Sequence, residues 1–187
     1  MILEKVEKNK LMIQGFVNCK VVESTAVLRE LRLDFPKFEV QLFRADRIAG
    51  KEHLLFAAMG AVRAFRQDRQ RARTLAVELL LYASCQRQIS KAIRLLGVGP
   101  HTSDVALVAL TNDTTHQDLR QAACAALDAH QDDNVIEILS RKKVLELKKA
   151  FDISAIEVAA TMLPYEEERS VLKRLIIERT ALMSVEK

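Results

Sequence analysis

Residues 80–93, LLYASCQRQISKAI, place several polar side chains suited to binding in an elbow between two aliphatic patterns. Arg87 can donate hydrogen bonds in a fork to a phosphate, and Gln88 offers donors and an acceptor to a base edge. Ser84 and the free amides at the start of a following helix are suited to a second phosphate. The elbow is therefore either a solvated turn or a site that binds an anion.

The elbow lies in the most basic part of the chain. Residues 63–94 hold eight arginines and lysines against Asp68 and Glu78, a local balance of +6 in a chain whose formal net charge is +4. Clustered cations create a positive potential that attracts polyanions. A solvated basic helix end explains the same cluster, and the sequence leaves both interpretations open.

Signals for catalysis or for a metal are weak. The sequence has only five glycines and contains no glycine-rich phosphate loop, no G-x-S-x-G and no H-E-x-x-H. The four histidines lie on different predicted elements, and none are spaced as helical metal ligands. Arg87 lies close enough to Cys85 to lower the pKa of its thiol, but a structural thiol is the simpler interpretation. We predict no enzymatic activity, no cofactor and no metal site.

The composition predicts one intracellular globular domain spanning residues 1–187. The 187 residues are 49% hydrophobic and 29% charged, and the low aromatic content of 5% argues against a platform for base stacking. The longest apolar segment, residues 54–62, falls short of the roughly 20 residues that a membrane span needs. The N-terminal residues do not resemble a secretion signal, and Cys19, Cys85 and Cys124 are scattered, so we expect free thiols and a cytoplasmic location.

Hydrophobic periodicity predicts about four strands and six to eight helices. Alternating or short apolar runs predict strands at residues 11–17, 38–43, 105–110 and 135–139, with the second half-buried and the third central. Spacings of three and four predict helices at residues 24–33, 51–68, 75–83, 89–96, 116–130 and 141–151. Two more helices are predicted, one that begins at residue 155 and a last one that ends at about residue 183. Residues 75–83 are short and apolar enough to form a buried strand instead.

Helix ends are marked by residues that cap or begin helices. We expect N-caps at Ser24, Thr74, Ser140 and Ser154, and Pro164 in the first turn of the last helix. The order of elements has no regular alternation of strand and helix. The predicted fold is therefore α+β, a single domain with a small, mostly antiparallel sheet covered by helices.

Four segments together resemble the TPRKB family, the kinase-binding subunit of the KEOPS complex, in its archaeal form. They are VQLFRADRIAGKEHLLFAAMGAVRAF, RARTLAVELLLYASCQRQISKAIRLLGVG, VIEILSRKKVLELKKAFDIS and LKRLIIERTALMSVEK. The most specific parts are the Y-A-S-x-x-R-Q-I block and the upstream A-G-x-x-H-L. Members of this family usually carry Gly at the position of Cys85, where a left-handed conformation would strain Cys.

The resemblance implies a subunit without catalytic activity that binds the kinase-like ATPase of the complex. That complex makes threonylcarbamoyladenosine next to the anticodon, and the subunit recruits tRNA through its single-stranded 3′ CCA end. With the basic cluster, this predicts nucleic-acid contacts at Lys51, His53, Arg63, Arg66, Arg73, Ser84, Arg87, Gln88 and Lys91. Tyr82 could stack on a base, and is equally well explained as a core residue.

The last helix is predicted to carry the partner surface. Its apolar residues cover about 140° of the helix, wider than the ~100° stripe that one core contact requires. The predicted partner-binding residues are Leu172, Leu175, Ile176, Arg179, Leu182 and Met183. The alternative is a helix that is more buried than most.

Two other functions fit the same residues. A free-standing RNA-binding protein would use the basic cluster without a kinase partner. A small-anion enzyme would use the arginines as a substrate clamp and Cys85 or His53 as the reactive group.

Overall fold

The computed structural model describes residues 1–21, 23–112 and 116–185. Its strands are β1 (Ile2–Val6), β2 (Asn9–Val17), β3 (Glu39–Arg44), β4 (Val105–Thr111) and β5 (His130–Gln131). Its helices are α1 (Ser24–Asp34), α2 (Lys51–Arg66), α3 (Leu75–Ser84), α4 (Ile89–Leu96), α5 (His116–Ala126), α6 (Asn134–Glu137), α7 (Arg141–Ala150), α8 (Ala155–Thr161) and α9 (Glu168–Leu182), with a 3₁₀ turn at Ala45–Arg47. The predicted α+β class is confirmed.

The strands form one antiparallel sheet in the order β1-β2-β4-β3. β4 pairs with β2 on one side and with β3 on the other, so that Val108 lies opposite both Ile13 and Gln41. Every residue of β4 is buried, as predicted for a central strand. β1 and the two-residue β5 pair with different parts of β2.

Helices cover both faces of the sheet. Successive strand residues point to opposite faces, so Leu107 and Val108 of β4 enter two different cores. The larger core lies between the sheet and helices α2, α3, α4, α7, α8 and α9, and the smaller one between the sheet and helices α1 and α5. The helices that carry the predicted binding residues therefore all lie on one face of the sheet.

β3 is buried on both faces, so the prediction of a half-buried strand is wrong. Val40 and Leu42 enter the smaller core, while Gln41 is buried on the other face. The Gln41 amide is satisfied internally, because Nε2 donates to the Ala76 carbonyl (3.2 Å) and Oε1 accepts from the Leu42 N–H (3.0 Å). Arg32 also donates to the Val40 carbonyl (2.9 Å), so side chains cover the backbone of this edge strand.

The segment before α6 packs directly on β2 at Gly15. A Cβ at Gly15 would lie 2.2 Å from the Asp132 carbonyl oxygen, so only glycine permits this approach. The Asp133 carboxylate accepts hydrogen bonds from the Gly15 N–H (2.8 Å) and from Gln14 Nε2 (2.8 Å). These contacts fix the start of α6 against the sheet.

The prediction of a strand at residues 135–139 is wrong, because this segment contains helix α6 (Asn134–Glu137). Strands β1 and β5 already pair with β2 along the edge nearest to it. The carbonyls of Val135 and Ile136 instead accept hydrogen bonds from Lys143 Nζ (2.6 and 2.9 Å). Sequence patterns also missed β1, whose alternate residues stay exposed.

Three of the four predicted N-caps are confirmed. Thr74, Ser140 and Ser154 each accept a hydrogen bond from the backbone amide three residues later. Ser24 is not a cap, because its hydroxyl donates to the Val98 carbonyl (2.8 Å) and it forms the first residue of α1.

Pro164 does not lie in the first turn of the last helix, because α9 begins at Glu168. The predicted helix at residues 75–83 is confirmed as α3, and its apolar character reflects burial on nearly all sides. In the described part of the chain, no helix has both the length and the apolar character needed to cross a membrane.

Candidate functional site

His53 joins the start of α2 to the end of α3. Its Nε2 donates to the Ala83 carbonyl (2.8 Å), and its Nδ1 accepts from the Ala49 N–H (3.2 Å). The ring is fully buried and meets the Phe151 ring edge-on. Burial lowers the pKa of His53 to about 4, so the imidazole is neutral at pH 7. The expectation that His53 contacts RNA is corrected, because the side chain is inside the protein.

The elbow at residues 84–88 begins with a Schellman motif. The Gln86 N–H donates to the Leu81 carbonyl, and the Cys85 N–H donates to the Tyr82 carbonyl, both at 3.1 Å. Cys85 adopts a left-handed conformation with φ 53° and ψ 32°. The turn therefore keeps the geometry that favours glycine, and a side chain at this position costs roughly 1 kcal/mol.

Two side chains of this region face inward. Ser84 is fully buried, and its hydroxyl donates to the Leu81 carbonyl (3.1 Å). The Tyr82 ring packs over Gly60, where a Cβ would lie 2.4 Å from ring carbons. The expected phosphate contact of Ser84 is therefore corrected, and Tyr82 is a core residue.

Arg87, Gln88 and Lys91 are exposed and lie together at the start of α4. Gln88 occupies the N-cap position, but its side chain makes no capping hydrogen bond. Its side chain is exposed to solvent. These three side chains form what we call the elbow surface.

The other predicted arginines lie at the far end of the α2–α3 hairpin. Arg63 and Arg66 belong to the last turns of α2, and Arg73 lies in the loop before α3. Arg66 also forms an ion pair with Glu7 (3.1 Å). Because α3 has 10 residues, this group and the elbow surface are about 15 Å apart. The basic cluster of the sequence therefore divides into two separate groups of cations.

Glu78 holds the hairpin loop in place. Its buried carboxylate accepts hydrogen bonds from the backbone amides of Arg71 (2.8 Å) and Ala72 (2.7 Å). The side chains of Arg69, Arg71 and Arg73 are exposed. One buried acid thus shapes the loop that presents these cations.

Lys51 is the first residue of α2 and lies beside β1. Its N–H donates to Glu137 (2.8 Å), and its Nζ lies 3.7 Å from a Glu4 carboxylate oxygen. The Glu4 carboxylate offsets part of its charge. The contact of Lys51 with RNA stays a prediction.

Most of the residues predicted to bind a partner lie inside the protein. Four of them are buried in the larger core: Leu172, Leu175, Ile176 and Met183. Arg179 donates to the Phe151 carbonyl and to Glu157 (2.7 Å). Only Leu182 stays substantially exposed. The partner prediction is corrected for the buried four, because α2, α3, α7 and α8 all pack against α9 and account for its wide apolar arc.

Exposed apolar side chains lie instead on α2 and α4. Phe56 and Met59 are exposed on α2, and Ile89 and Ile93 are exposed on α4. The spacing that predicted α4 includes both isoleucines in its apolar stripe. That stripe is wider than the face that the protein buries, which holds Ala92 and Leu96.

The end of α9 meets the elbow at a small cavity of about 280 Å³. Ser84, Cys85 and Gln86 line it from the elbow, and Leu182 and Met183 line it from α9. The exposed Leu182 therefore lies next to the turn that leads into α4.

The two predicted reactive groups are unsuited to catalysis. Burial raises the pKa of the Cys85 thiol to about 11, and its Sγ lies 3.6 Å from the Thr180 hydroxyl. The buried His53 has both ring nitrogens in hydrogen bonds to the backbone. Among the described residues, no three His, Cys, Asp or Glu side chains form a group that could hold a metal.

Residues 17–184 match the family model for the kinase binding protein CGI-121. The match covers most of the chain and includes the elbow and all of α2, α3, α4 and α9. No curated protein matches the chain. The family resemblance seen in the sequence is confirmed.

The pKa of His53 predicts loss of stability in acid. Below pH 6.5 the unfolded chain protonates His53, whereas the folded protein does so only near pH 4. The free energy of unfolding should therefore fall by about 2 kcal/mol between pH 7 and pH 5 through this group alone. Urea unfolding should show this loss in wild type and not in His53→Gln. His130→Gln, at an exposed site, should retain it; equal pH dependence in wild type and His53→Gln would contradict the assignment.

The left-handed turn predicts an unusual order of stability at Cys85. Cys85→Gly and Cys85→Ala both delete the thiol, but only Gly removes the backbone strain. Urea unfolding should find the Gly variant more stable than the Ala variant by about 1 kcal/mol. At Cys124, inside α5, the order should reverse because Ala favours a helix. Equal or greater stability of Cys85→Ala would disprove the strain.

Proposed function

Because the chain belongs to the CGI-121 family of kinase-binding proteins, we propose that it is a subunit of a KEOPS-type complex without catalytic activity of its own. In this proposal it binds the kinase-like ATPase and recruits tRNA by its 3′ CCA end. The complex forms threonylcarbamoyladenosine next to the anticodon, in the cytoplasm of an archaeal cell. The family match over residues 17–184 is the observation that supports the proposal of a kinase partner.

The RNA role is supported by the elbow surface. Arg87 and Lys91 supply cations, and the Gln88 amide can donate to and accept from a base edge. Arg63 and Arg73 offer a second group of contacts about 15 Å away, along the length of α3. With Tyr82 buried, this surface offers charge and hydrogen bonds rather than aromatic stacking. Such binding depends strongly on salt.

His53 and Ser84 act in this proposal as scaffold residues. His53 holds the end of α3, and Ser84 bonds to the last turn of the same helix. Both therefore set the position of the elbow without touching RNA. His53 lies in the A-G-x-x-H-L block and Ser84 in the Y-A-S-x-x-R-Q-I block, so the two most specific blocks of the family resemblance share one structural role.

The kinase surface is supported by the apolar side of α4. Ile93 is 53% exposed, and Ile89 lies one turn before it on the same side. Leu182, which is also exposed, lies at the end of α9 next to the elbow that leads into α4. Exposed apolar side chains grouped on neighbouring elements are typical of protein interfaces.

The two proposed ligands use different sides of α4. At 100° per residue, Lys91 lies about 160° around the helix from both Ile89 and Ile93. The kinase can therefore cover the isoleucines while RNA contacts the cations. Binding at both surfaces at once is what a recruiting subunit requires.

The RNA proposal predicts that Arg87 and the CCA end act together. Removing the terminal CCA from tRNA should weaken binding to wild type, and Arg87→Ala should weaken binding of intact tRNA. Arg87→Ala should also lower the slope of log affinity against log salt by about one, through the loss of one phosphate contact. Filter binding across salt concentrations measures both effects.

The matched control is Arg29→Ala, which removes an exposed arginine from α1 on the opposite face of the sheet. This variant should bind tRNA as wild type does. If wild type is indifferent to removal of CCA, the recruiting role is excluded even though the kinase is still bound.

The kinase proposal predicts that Ile93→Glu abolishes co-purification with the kinase. Because Ile93 is half exposed, the change should alter the free energy of unfolding by no more than about 0.5 kcal/mol. Ile156→Glu, at an 82% exposed site on α8, should co-purify normally. Leu175→Glu should instead unfold the protein, because Leu175 lies in the larger core. Normal co-purification of Ile93→Glu would place the interface elsewhere.

A further inference from the structure

A cavity of about 640 Å³ lies away from the elbow, where β3 ends and β4 begins. Arg44, Asp46 and Arg47 border it from the end of β3 and the 3₁₀ turn, and residues 101–104 border it from the loop before β4. The α6–α7 segment closes the other side. Its volume lies within the range of small-molecule sites.

A buried lysine that forms no ion pair with a described carboxylate lines this cavity. Lys143 is only 6% exposed, and its Nζ donates to the carbonyls of Val135 (2.6 Å) and Ile136 (2.9 Å). Among the described residues, no carboxylate oxygen lies within 4 Å of this ammonium group. Burying a cation without a paired anion is costly, and the two carbonyls offset its charge only in part.

Arg47 is a second cation at this cavity, and its hydrogen-bonding capacity is only partly used. Its Nη1 donates to the Leu95 carbonyl (2.9 Å), and its Nη2 lies 3.6 Å from Glu146. Its buried Nε has no hydrogen-bond partner among the described residues. Asp46 attracts both Arg47 and Lys143, but its two oxygens are hydrogen-bonded to Arg44 (2.8 and 2.7 Å).

The start of α7 adds to the positive potential. This helix has 10 residues, Ser140 caps it, and no acidic residue lies in its first turn. Its first three residues are Arg141, Lys142 and Lys143, although the amino end of a helix favours negative charge. An anion in the cavity would relieve this repulsion.

Capping of helix ends explains where the two cations lie but leaves the cavity unexplained. Lys143 donates hydrogen bonds to carbonyls of α6, and Arg47 donates one to a carbonyl in the last turn of α4. Neither contact needs an adjoining space large enough for a small molecule. The cavity, the buried Lys143 ammonium without an ion pair to a described carboxylate and the unpartnered Arg47 Nε together indicate a ligand.

The charged residues that line the cavity favour a compact ligand rather than a nucleic acid. The cavity is lined by five lysines and arginines, and also by Asp46, Asp104, Asp132 and Glu146. These carboxylates repel an extended polyanion such as RNA. A single anionic group can reach the cations without lying along the acids.

We propose that this cavity binds a small molecule through one compact, phosphate-type anionic group held by Lys143 and Arg47. The ligand class follows from two cations that line one cavity and whose hydrogen bonds, among the described residues, go to backbone carbonyls rather than to carboxylates. The proposal concerns a second site and does not depend on the RNA or kinase surfaces.

The environment of Lys143 adds a pH dependence. Burial lowers its pKa to about 8, against the attraction of Asp46, Glu137 and Asp104 and together with repulsion by Lys173. A bound anion favours the protonated form. Affinity should therefore be full below pH 8 and decline as the pH rises above it, where the free protein loses this proton.

The test uses sulfate, a tetrahedral dianion that does not titrate near neutral pH. Calorimetric titration of the full chain at constant ionic strength should show saturable binding that chloride cannot replace. Lys143→Met and Arg47→Gln should each weaken it at least tenfold. Arg141→Gln, an exposed change in the same helix turn outside the lining, should leave it unchanged.

Three results would overturn the proposal. The first is the absence of saturable sulfate binding at pH 7. The second is equal binding by wild type and Arg47→Gln, which keeps the capping lysine of α6 and so should fold. The third is displacement of sulfate by tRNA, which would make the cavity part of an RNA surface.

Discussion

The candidate site depends on one neutral imidazole with two backbone hydrogen bonds. His53 accepts from the amide of Ala49 just before α2 and donates to the carbonyl of Ala83 at the end of α3. Because helix ends leave backbone groups unpaired, this side chain satisfies one group at each end. Its position in the protein interior requires the uncharged form, which the low pKa provides. The direction in which α4 leaves the elbow follows from this junction.

The helical hairpin also explains why charges that cluster in sequence separate in space. A 10-residue helix carries the chain about 15 Å, so arginines before and after α3 reach opposite ends of the hairpin. A polyanion that contacts both groups must therefore be extended. A single-stranded RNA end meets this condition better than a compact phosphate ligand does. The cavity beside Lys143, in contrast, suits a compact anionic group.

Excess apolar width on a helix has two physical causes, and this protein shows both. α9 is apolar over a wide arc because four neighbouring helices pack against it. α4 is shorter and buries Ala92 and Leu96, so Ile89 and Ile93 remain in contact with solvent. The same kind of pattern thus reports a core in one helix and a surface in the other. The neighbours of each helix decide which.

The sequence by itself determined the α+β class, the central strand β4, the boundaries of most helices and the caps at Thr74, Ser140 and Ser154. These features depend on residues close together in the chain, where periodicity and local hydrogen bonds act. Only the tertiary structure decided that His53, Ser84 and Leu175 are buried and that residues 134–137 form a helix. Periodicity shows which side of an element is apolar or charged. Whether that side meets the protein's own core, a partner or water depends on segments that are distant in the sequence.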